Sequence, residues 1–256
     1  MAQGRIAQTQ YSMQQGRLMI SKLNELGAPT GFFHLGDVSS ASIDLTEEVT
    51  DVYEHSSGAR GLDAEFTKQL GAEFKASLSS FTPENFALFM RAAVVAKAAG
   101  SITDESITLF SGLESYTNNI DISSVVVKSP DGLTTYVVGD DYISNDNSIE
   151  PVTGGAIELL DTGDGVPVKV SYSYGAQSAV DAFTEAKGYY RLVFDGIDTA
   201  QSNKKRKYTL RRVSTSVLKS LALIADDPNK MDIDGKCLID NTATTRSKYV
   251  NIDIES

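Results

Sequence analysis

The strongest pattern along the chain is a period of two. Phe66, Lys68, Leu70, Ala72, Phe74, Ala76 and Leu78 share one parity, and Glu65, Thr67, Gln69, Gly71, Glu73, Lys75 and Ser77 share the other. That alternation is the mark of a half-buried strand. At ~3.3 Å per residue it would run roughly 40 Å, longer than one small sandwich needs, so the strand is expected to project beyond its core or to bend at a bulge near Gly71. Upstream, Ile43 and Leu45 alternate with Asp44 and Thr46 and predict a companion strand. Between the two, Val49 to Asp63 reads as a long loop with Ser56-Ser57-Gly58 near its tip. A loop of that length is seldom kept without a job, the plainer reading being a mobile hairpin tip.

A period near 3.6 shows only briefly. Thr82 as N-cap, Pro83 at the first helical position and Glu84 in the first turn open a helix whose stripe is Phe86, Phe89, Met90, Ala93 and Val94. Lys97 falls at the same spacing, and Gly100 is the expected stop. Such a stripe is core-facing far more often than ligand-facing. Ahead of these elements, Met13 to Leu26 reads as a short helix before the breaker cluster Gly27-Ala28-Pro29-Thr30-Gly31. Residues 1–40 are expected to form a partly ordered N-terminal arm.

From Ser123 onward the pattern is strand after strand. Val125-Val126-Val127, the turn Ser129-Pro130-Asp131-Gly132 and Leu133 to Val138 read as a hairpin. Ala156 to Leu160 reads as a further strand, and Val166, Val168, Val170, Tyr172 and Tyr174 alternate with polar neighbours and with Pro167. More strands are expected near 188–194, 205–214, 235–240 and 249–254. Many short strands with polar turns and one or two helices predict a mainly β fold with one flanking α-helix, a sandwich or barrel from which a long hairpin loop projects. The absence of βα alternation argues against a doubly wound parallel sheet.

Composition narrows the chemistry. The 256 residues carry 23 Lys+Arg against 34 Asp+Glu, a formal charge of −11. A duplex binder replaces condensed counterions with its own cations, so a chain this acidic would need a segregated basic face. The hydrophobic share, 41%, is enough to bury a real core in one large or two small domains. No apolar run approaches the ~18–20 residues that span a bilayer, and Met1-Ala2-Gln3-Gly4-Arg5 lacks the apolar stretch of a signal peptide, so the expectation is a chain that is neither exported nor membrane-bound. The lone Cys237 leaves no internal disulfide, in keeping with synthesis in the cytosol.

Candidate catalytic material is sparse. Two histidines and one cysteine are too few for the usual zinc sites, and His34 and His55 lack a nucleophile context, which favours surface or hydrogen-bonded structural roles. Gly163-Asp164-Gly165 runs into Val166-Pro167-Val168 and not into a helix, so it reads as a turn and not as a phosphate cradle. Asp232-Ile233-Asp234-Gly235 fails the register of a calcium loop, because Lys230 would stand first and Asn241 twelfth. No carboxylate pair has a context that separates two pKa values, as glycosidase chemistry needs. The reading is a protein without catalytic residues, metal or cofactor.

One basic run stands out in the acidic chain: Lys204, Lys205, Arg206 and Lys207, joined by Arg211 and Arg212. Stacking aromatics do not interleave it beyond Tyr208, and Tyr208 and Leu210 alternate with Lys207, Thr209 and Arg211 as on a strand with one cationic face. Such a face suits an acidic face of a neighbouring copy better than nucleic acid.

The order of segments resembles the major tail tube proteins of long-tailed, siphovirus-type bacteriophages. A strand ends in Glu54-His55-Ser56-Ser57-Gly58-Ala59-Arg60-Gly61-Leu62-Asp63, a long strand returns, and a helix opens with Pro83-Glu84-Asn85-Phe86-Ala87-Leu88. Tyr136-Val137-Val138-Gly139-Asp140-Asp141-Tyr142-Ile143, Gly154-Gly155-Ala156-Ile157 and Val168 to Tyr174 are similar to a segment that many of these proteins carry. Tyr190 to Gly196 and Gly235 to Asp240 look like the closing strands. The likeness covers most of residues 43–254, and the order of the motifs carries it more than any one of them.

The resemblance implies a single tail tube domain over residues 1–256 that assembles into hexameric rings stacked as a hollow tube. A β segment at about 120–178 would be inserted, either on the outside of the tube or in its wall. The tip Val52, Tyr53, Glu54, His55, Ser56, Ser57, Gly58, Ala59 and Arg60 would stack one ring on the next, with Lys204 to Lys207, Arg211 and Arg212 as a charged face between subunits. Implied partners are other copies of the chain, a tape-measure protein, a tail terminator and tail-tip proteins, with DNA only a transient passenger in an anionic lumen. The implied location is the virion tail, assembled in the bacterial cytoplasm. A contractile tail's inner tube or a secretion-type tube is the nearest alternative, though such proteins are usually shorter. A ligand-binding β-sandwich using Tyr172, Tyr174, Tyr189 and Tyr190 is the alternative from another class, and the lack of tryptophan counts against it.

Overall fold

The structure, a computed structural model, describes residues 11–56, 58, 60–218 and 220–255. The chain runs through β1 (Gln14–Lys22), β2 (Phe33–His34), β3 (Val38–Tyr53), β4 (Leu62–Leu78) and helix α1 (Pro83–Met90). It continues with β5 (Val94–Lys97), β6 (Gly100–Leu109), β7 (Ser115–Tyr116), β8 (Ile122–Lys128), β9 (Tyr142–Ser144), β10 (Ser148–Pro151) and helix α2 (Ala156–Leu160). It closes with β11 (Val166–Tyr174), β12 (Gln177–Val180), β13 (Tyr190–Asp198), β14 (Lys204–Thr215), β15 (Met231–Cys237) and β16 (Val250–Ile254). Strand takes 51% of the described residues and helix 7%, so the protein is mainly β with a flanking helix.

Two compact units divide the chain, Met1–Ala93 with Val180–Ser256, and Val94–Ala179. The first is one sheet in the order β2-β1-β13-β14-β15-β4-β3, with β16 paired to the outer part of β14. Its core is a side of that sheet: Leu18 and Ile20 of β1, Ala72, Phe74, Ala76 and Leu78 of β4, Leu192, Leu210 and Val213 of the central strands, and Met231 and Ile233 of β15. Phe89 of α1 is fully buried in the same cluster, and Asn85 anchors the helix by donating to the Leu35 and Ser80 carbonyls at 2.9 and 3.0 Å.

The second unit holds two three-stranded sheets, β6-β11-β8 and β7-β10-β9, and the pair β12-β5. Val166, Val168, Val170 and Tyr172 are buried on one side of β11, as their alternation predicts, against Leu109, Val127, Tyr142, Ile149 and Ile157. The segment expected as an insertion, about 120–178, lies inside this unit, which begins earlier, at Val94.

Several elements differ from the sequence reading, each through a partner distant in sequence. Met13 to Leu26 is not helical: Gln14–Lys22 is a strand between β13 and β2, with Leu18 and Ile20 buried, so residues from Gln14 on belong to the sheet and not to an arm. Helix α1 begins as read, with the Thr82 hydroxyl accepting from the Asn85 N–H, but it stops at Met90 and not at Gly100. Arg91 adopts a left-handed conformation, φ 52°, and Val94–Lys97 leaves as a strand to pair with β12. Ala156–Leu160 is a helix of five residues, not a strand. Leu133 to Val138 makes only isolated bridges, Lys128 to Thr135 and Val138 to Tyr142. The strand expected near 235–240 lies earlier, at Met231–Cys237.

Candidate functional site

The long strand β4 has two halves. From Ala72 to Leu78 it lies between β3 and β15, paired Ala72 to Cys237 through Leu78 to Met231. From Gly71 back to Leu62 its only strand neighbour among the described residues is β3, and the two run on together until Tyr53 faces Leu62. The outer half, about ten residues at ~3.3 Å each, forms an arm of roughly 30 Å. The alternation that predicts a half-buried strand is realised only in the inner half: Ala72, Phe74, Ala76 and Leu78 are buried, while Leu70 is 57% exposed and Phe66 61%.

The pairing register fixes which side chains share a face. Leu45, Leu70, Val49, Tyr53 and Leu62 continue the core-facing side, and Phe66 and Val52 lie on the opposite one. The register slips between Glu48 and Val49, where Lys68 is the extra residue, and again between Val52 and Tyr53. Gly71, where a bulge was expected, pairs regularly with Thr46. Glu47, Glu48, Asp51, Glu54, Asp63 and Glu65 outnumber Arg60 and Lys68 on the arm. Lys68 and Glu48 approach to 3.8 Å. Away from β4, β3 has no strand partner among the described residues over its 16 positions.

The tip is shorter than the loop read from the sequence, because Val49–Tyr53 is strand. The Glu54 N–H donates to the Gly61 carbonyl at 2.9 Å and closes the turn. Gly58 and Arg60 hold positive φ values of 77° and 48°. Of the nine residues assigned to stacking, Val52 and Tyr53 are strand, Glu54, His55, Ser56, Gly58 and Arg60 are tip, and Ser57 and Ala59 lie outside the described residues. His55 is exposed, and His34 accepts through Nδ1 from the Gly36 N–H at 3.1 Å.

The basic run does not form one cationic face. It lies on β14, where Lys204 and Arg206 share the parity of Tyr208 and Leu210 while Lys205 and Lys207 take the other. Arg206 reaches Asp198 at 2.7 Å, with Asp198 fully buried. Arg211 and Arg191 approach Asp240 at 3.6 and 3.3 Å. Lys207 pairs with Asp253 at 3.3 Å, and Arg212 lies over the Tyr189 ring at 4.1 Å. Lys204 and Lys205 have no ion pair among the described residues. Three of these six cations, Arg206, Lys207 and Arg211, pair with carboxylates of their own unit.

The two buried carboxylates escaped the sequence reading, since nothing in the sequence marks Asp198 as the partner of Arg206 across the β13–β14 turn, or Asp240 as the partner of Arg191 and Arg211. The Met13 N–H, above all, holds the Asp198 carboxyl below its ordinary pKa against the opposing effect of burial, helped by the Ser12 hydroxyl and Arg206. Burial pushes Asp240 up, but the Thr242 hydroxyl and N–H with Arg191 and Arg211 outweigh it and bring it down.

An open groove of about 1010 Å³ runs along the first unit, bordered by Leu18, Leu45, Leu70, Phe74, Phe194 and Ile252. Among the described residues no group of three or more His, Cys, Asp or Glu is placed to hold a metal ion, and no helix is long and apolar enough to cross a membrane. No curated protein sequence matches the chain. A family model described as protein of unknown function UCP028589 matches residues 11–253, nearly the whole length, and the chain belongs to that family.

Proposed function

We propose that the protein is a structural subunit that assembles into stacked rings forming the hollow tail tube of a long-tailed bacteriophage, with no catalytic role. The observation that carries this reading is the outer half of the β3–β4 hairpin. It places Val49, Tyr53, Leu62 and Leu70 on one face and Val52 and Phe66 on the other, with no core of its own unit to cover them. Apolar side chains exposed on both faces of a two-stranded arm are a liability in a monomer and an asset in an assembly. The unpaired edge of β3 offers backbone donors and acceptors to a strand of another copy. A contact of this kind is heterologous, closing into a ring in one direction and repeating without limit along the axis.

The partners on this reading are other copies of the chain, the tape-measure, terminator and tail-tip proteins, and DNA passing through a lumen that a chain of charge −11 is expected to make negative, so that phosphates do not stick. The charge between subunits falls to Lys204 and Lys205 more than to Arg206 or Arg211, which have internal partners. The test is negative-stain electron microscopy of concentrated protein beside a variant lacking residues 53–60. Hollow tubes of uniform width that vanish in the deletion are expected.

A second reading, a ligand-binding β module, draws on the groove bordered by Phe74, Phe194 and Ile252. A protein that stays monomeric at every concentration, with or without residues 53–60, favours it over the tube.

A further inference from the structure

The second unit contains a polar cluster built around Asn119, which is 2% exposed. Lys97, the last residue of β5, places Nζ in hydrogen-bond contact with the Asn119 side-chain oxygen. Gln177 at the start of β12 donates to the same oxygen at 2.8 Å, and its own amide oxygen accepts from the Ile120 N–H at 3.1 Å. The Asn119 side-chain nitrogen donates to the Tyr172 hydroxyl at 2.8 Å. That hydroxyl donates to Glu105, whose other oxygen accepts from the Asn118 N–H at 3.1 Å. The Thr117 hydroxyl fixes the backbone by donating to the Asn119 carbonyl at 2.7 Å. The Lys97 ammonium also lies 4.5 Å from the centre of the Tyr174 ring.

Each part of this arrangement has a use in acyl transfer. An amine stands against a carboxamide whose oxygen is polarised by an amide donor and whose nitrogen is held by a phenol. We infer that Lys97 and Asn119 form an intramolecular isopeptide bond, made by the unit's own residues.

In the reaction Lys97 Nζ, once deprotonated, attacks Cγ of Asn119, and the negative charge that develops on the oxygen is met by the Gln177 N–H. In the planar amide the Asn119 nitrogen is a donor to Tyr172. When Cγ becomes tetrahedral that nitrogen gains a lone pair, the Tyr172 hydroxyl turns from Glu105 to protonate the departing group, and the proton shed by the attacking Nζ restores the phenol by way of solvent. Burial above all, with Glu105, pushes the Tyr172 hydroxyl above its ordinary pKa and keeps it protonated for this role. The Lys97 Nζ–Cγ bond forms and the Cγ–Nδ2 bond breaks. The lysine ammonium and the carboxamide become a secondary amide and one ammonium ion. Atoms and charge balance, and no oxidant or co-reactant enters.

Proximity speeds the step, since Lys97 Nζ is already held against the Asn119 carboxamide oxygen. Lys97 is exposed, so its proton can pass to water, and the rate should climb with pH. The product ties β5 to the segment before β8, across 22 positions of chain. Because β5 and β12 are the paired strands where the chain enters and leaves the unit, the tie would fasten the unit at its base.

Intact-mass measurement of the full-length protein, followed over time at neutral and alkaline pH, tests the inference. The expected result is loss of one ammonia, faster at high pH, with a branched peptide joining Lys97 to Asn119 after proteolysis. Lys97→Arg should keep the full mass. Tyr172→Phe should slow the loss by roughly 10²-fold, the usual worth of a positioned proton donor. Circular dichroism of each variant confirms that the unit still folds. A full mass in the wild type at every pH overturns the inference. So does an ammonia loss that persists in Lys97→Arg, which would be a backbone succinimide at Asn119.

Discussion

The Arg206 guanidinium lies 2.7 Å from the Asp198 carboxylate, and neither side chain has appreciable access to water. Asp198 also accepts from the Ser12 hydroxyl and from the Met13 and Ala200 N–H groups, so one carboxylate gathers the start of β1, the end of β13 and the start of β14. Removing only the cation leaves a buried charge without its partner, which is worse than removing both. Arg206→Ala should therefore lower the urea midpoint markedly, while Lys205→Ala, an exposed site without an ion pair, should leave it nearly unchanged. Equal midpoints for the two variants would contradict this account of the clasp.

Acid should loosen the same region. The folded-state pKa values of Asp198 and Asp240 are both held below the ordinary carboxylate value. A group depressed on folding contributes stability that is fully present above its unfolded pKa, ~3.9 for Asp, and is lost as pH falls through the lower folded value. Thermal melts between pH 7 and pH 3 should show a fall concentrated below about pH 4. In Asp240→Asn the fall should be shallower, because one of the titrating groups is gone.

Cys237 should be chemically quiet. Burial on β15 pushes its thiol from 9.0 up to about 11, with the Glu73 carboxylate adding to the shift, so almost no thiolate is present at neutral pH. A disulfide reagent should leave the native protein unlabelled for hours and react with one thiol per chain in denaturant. Rapid labelling of native protein would mean that β15 opens readily.

Two phenylalanines eight positions apart on β4 should behave in opposite ways. Phe74 is 3% exposed in the core, so Phe74→Ala should cost about 3–5 kcal/mol in unfolding free energy. Phe66 stands on the arm, so Phe66→Ser should change monomer stability by less than ~0.5 kcal/mol. On the tube reading it should nonetheless abolish assembly under conditions where wild-type tubes form. Tubes that persist in Phe66→Ser would place the stacking surface elsewhere.

A close approach between β1 and β13 gives a further test. Gly16 and Gly196 face each other across β1 and β13, and a Cβ on Gly16 would stand 2.5 Å from the Asp195 carbonyl oxygen. Because backbone and not a flexible side chain occupies that space, Gly16→Ala must push the strands apart. The variant should melt below the wild type even though alanine is the smallest possible addition.

Where the signal is local, as in β11 and at the start of α1, the sequence alone determined the element. Val166, Val168, Val170 and Tyr172 alternate because β11 has a wet side and a dry side, and Thr82-Pro83-Glu84 starts α1 through bonds within four residues. The mainly β class follows from such local rules. What the tertiary structure decided is where partners distant in the chain override local preference. Gln14–Lys22 became a strand because β13 pairs with it from more than 160 positions away, and Val94–Lys97 left the helical pattern to meet β12. The alternation of β4 continues unbroken past Ala72, yet its neighbour β15 ends at Cys237, so the same period means core on one side of that point and open arm on the other. Likewise six cations in a short segment were plain to read, but Asp198 and Asp240 decided which of them are free. Periodicity is a property of one strand, whereas burial and charge pairing depend on which strand lies beside it.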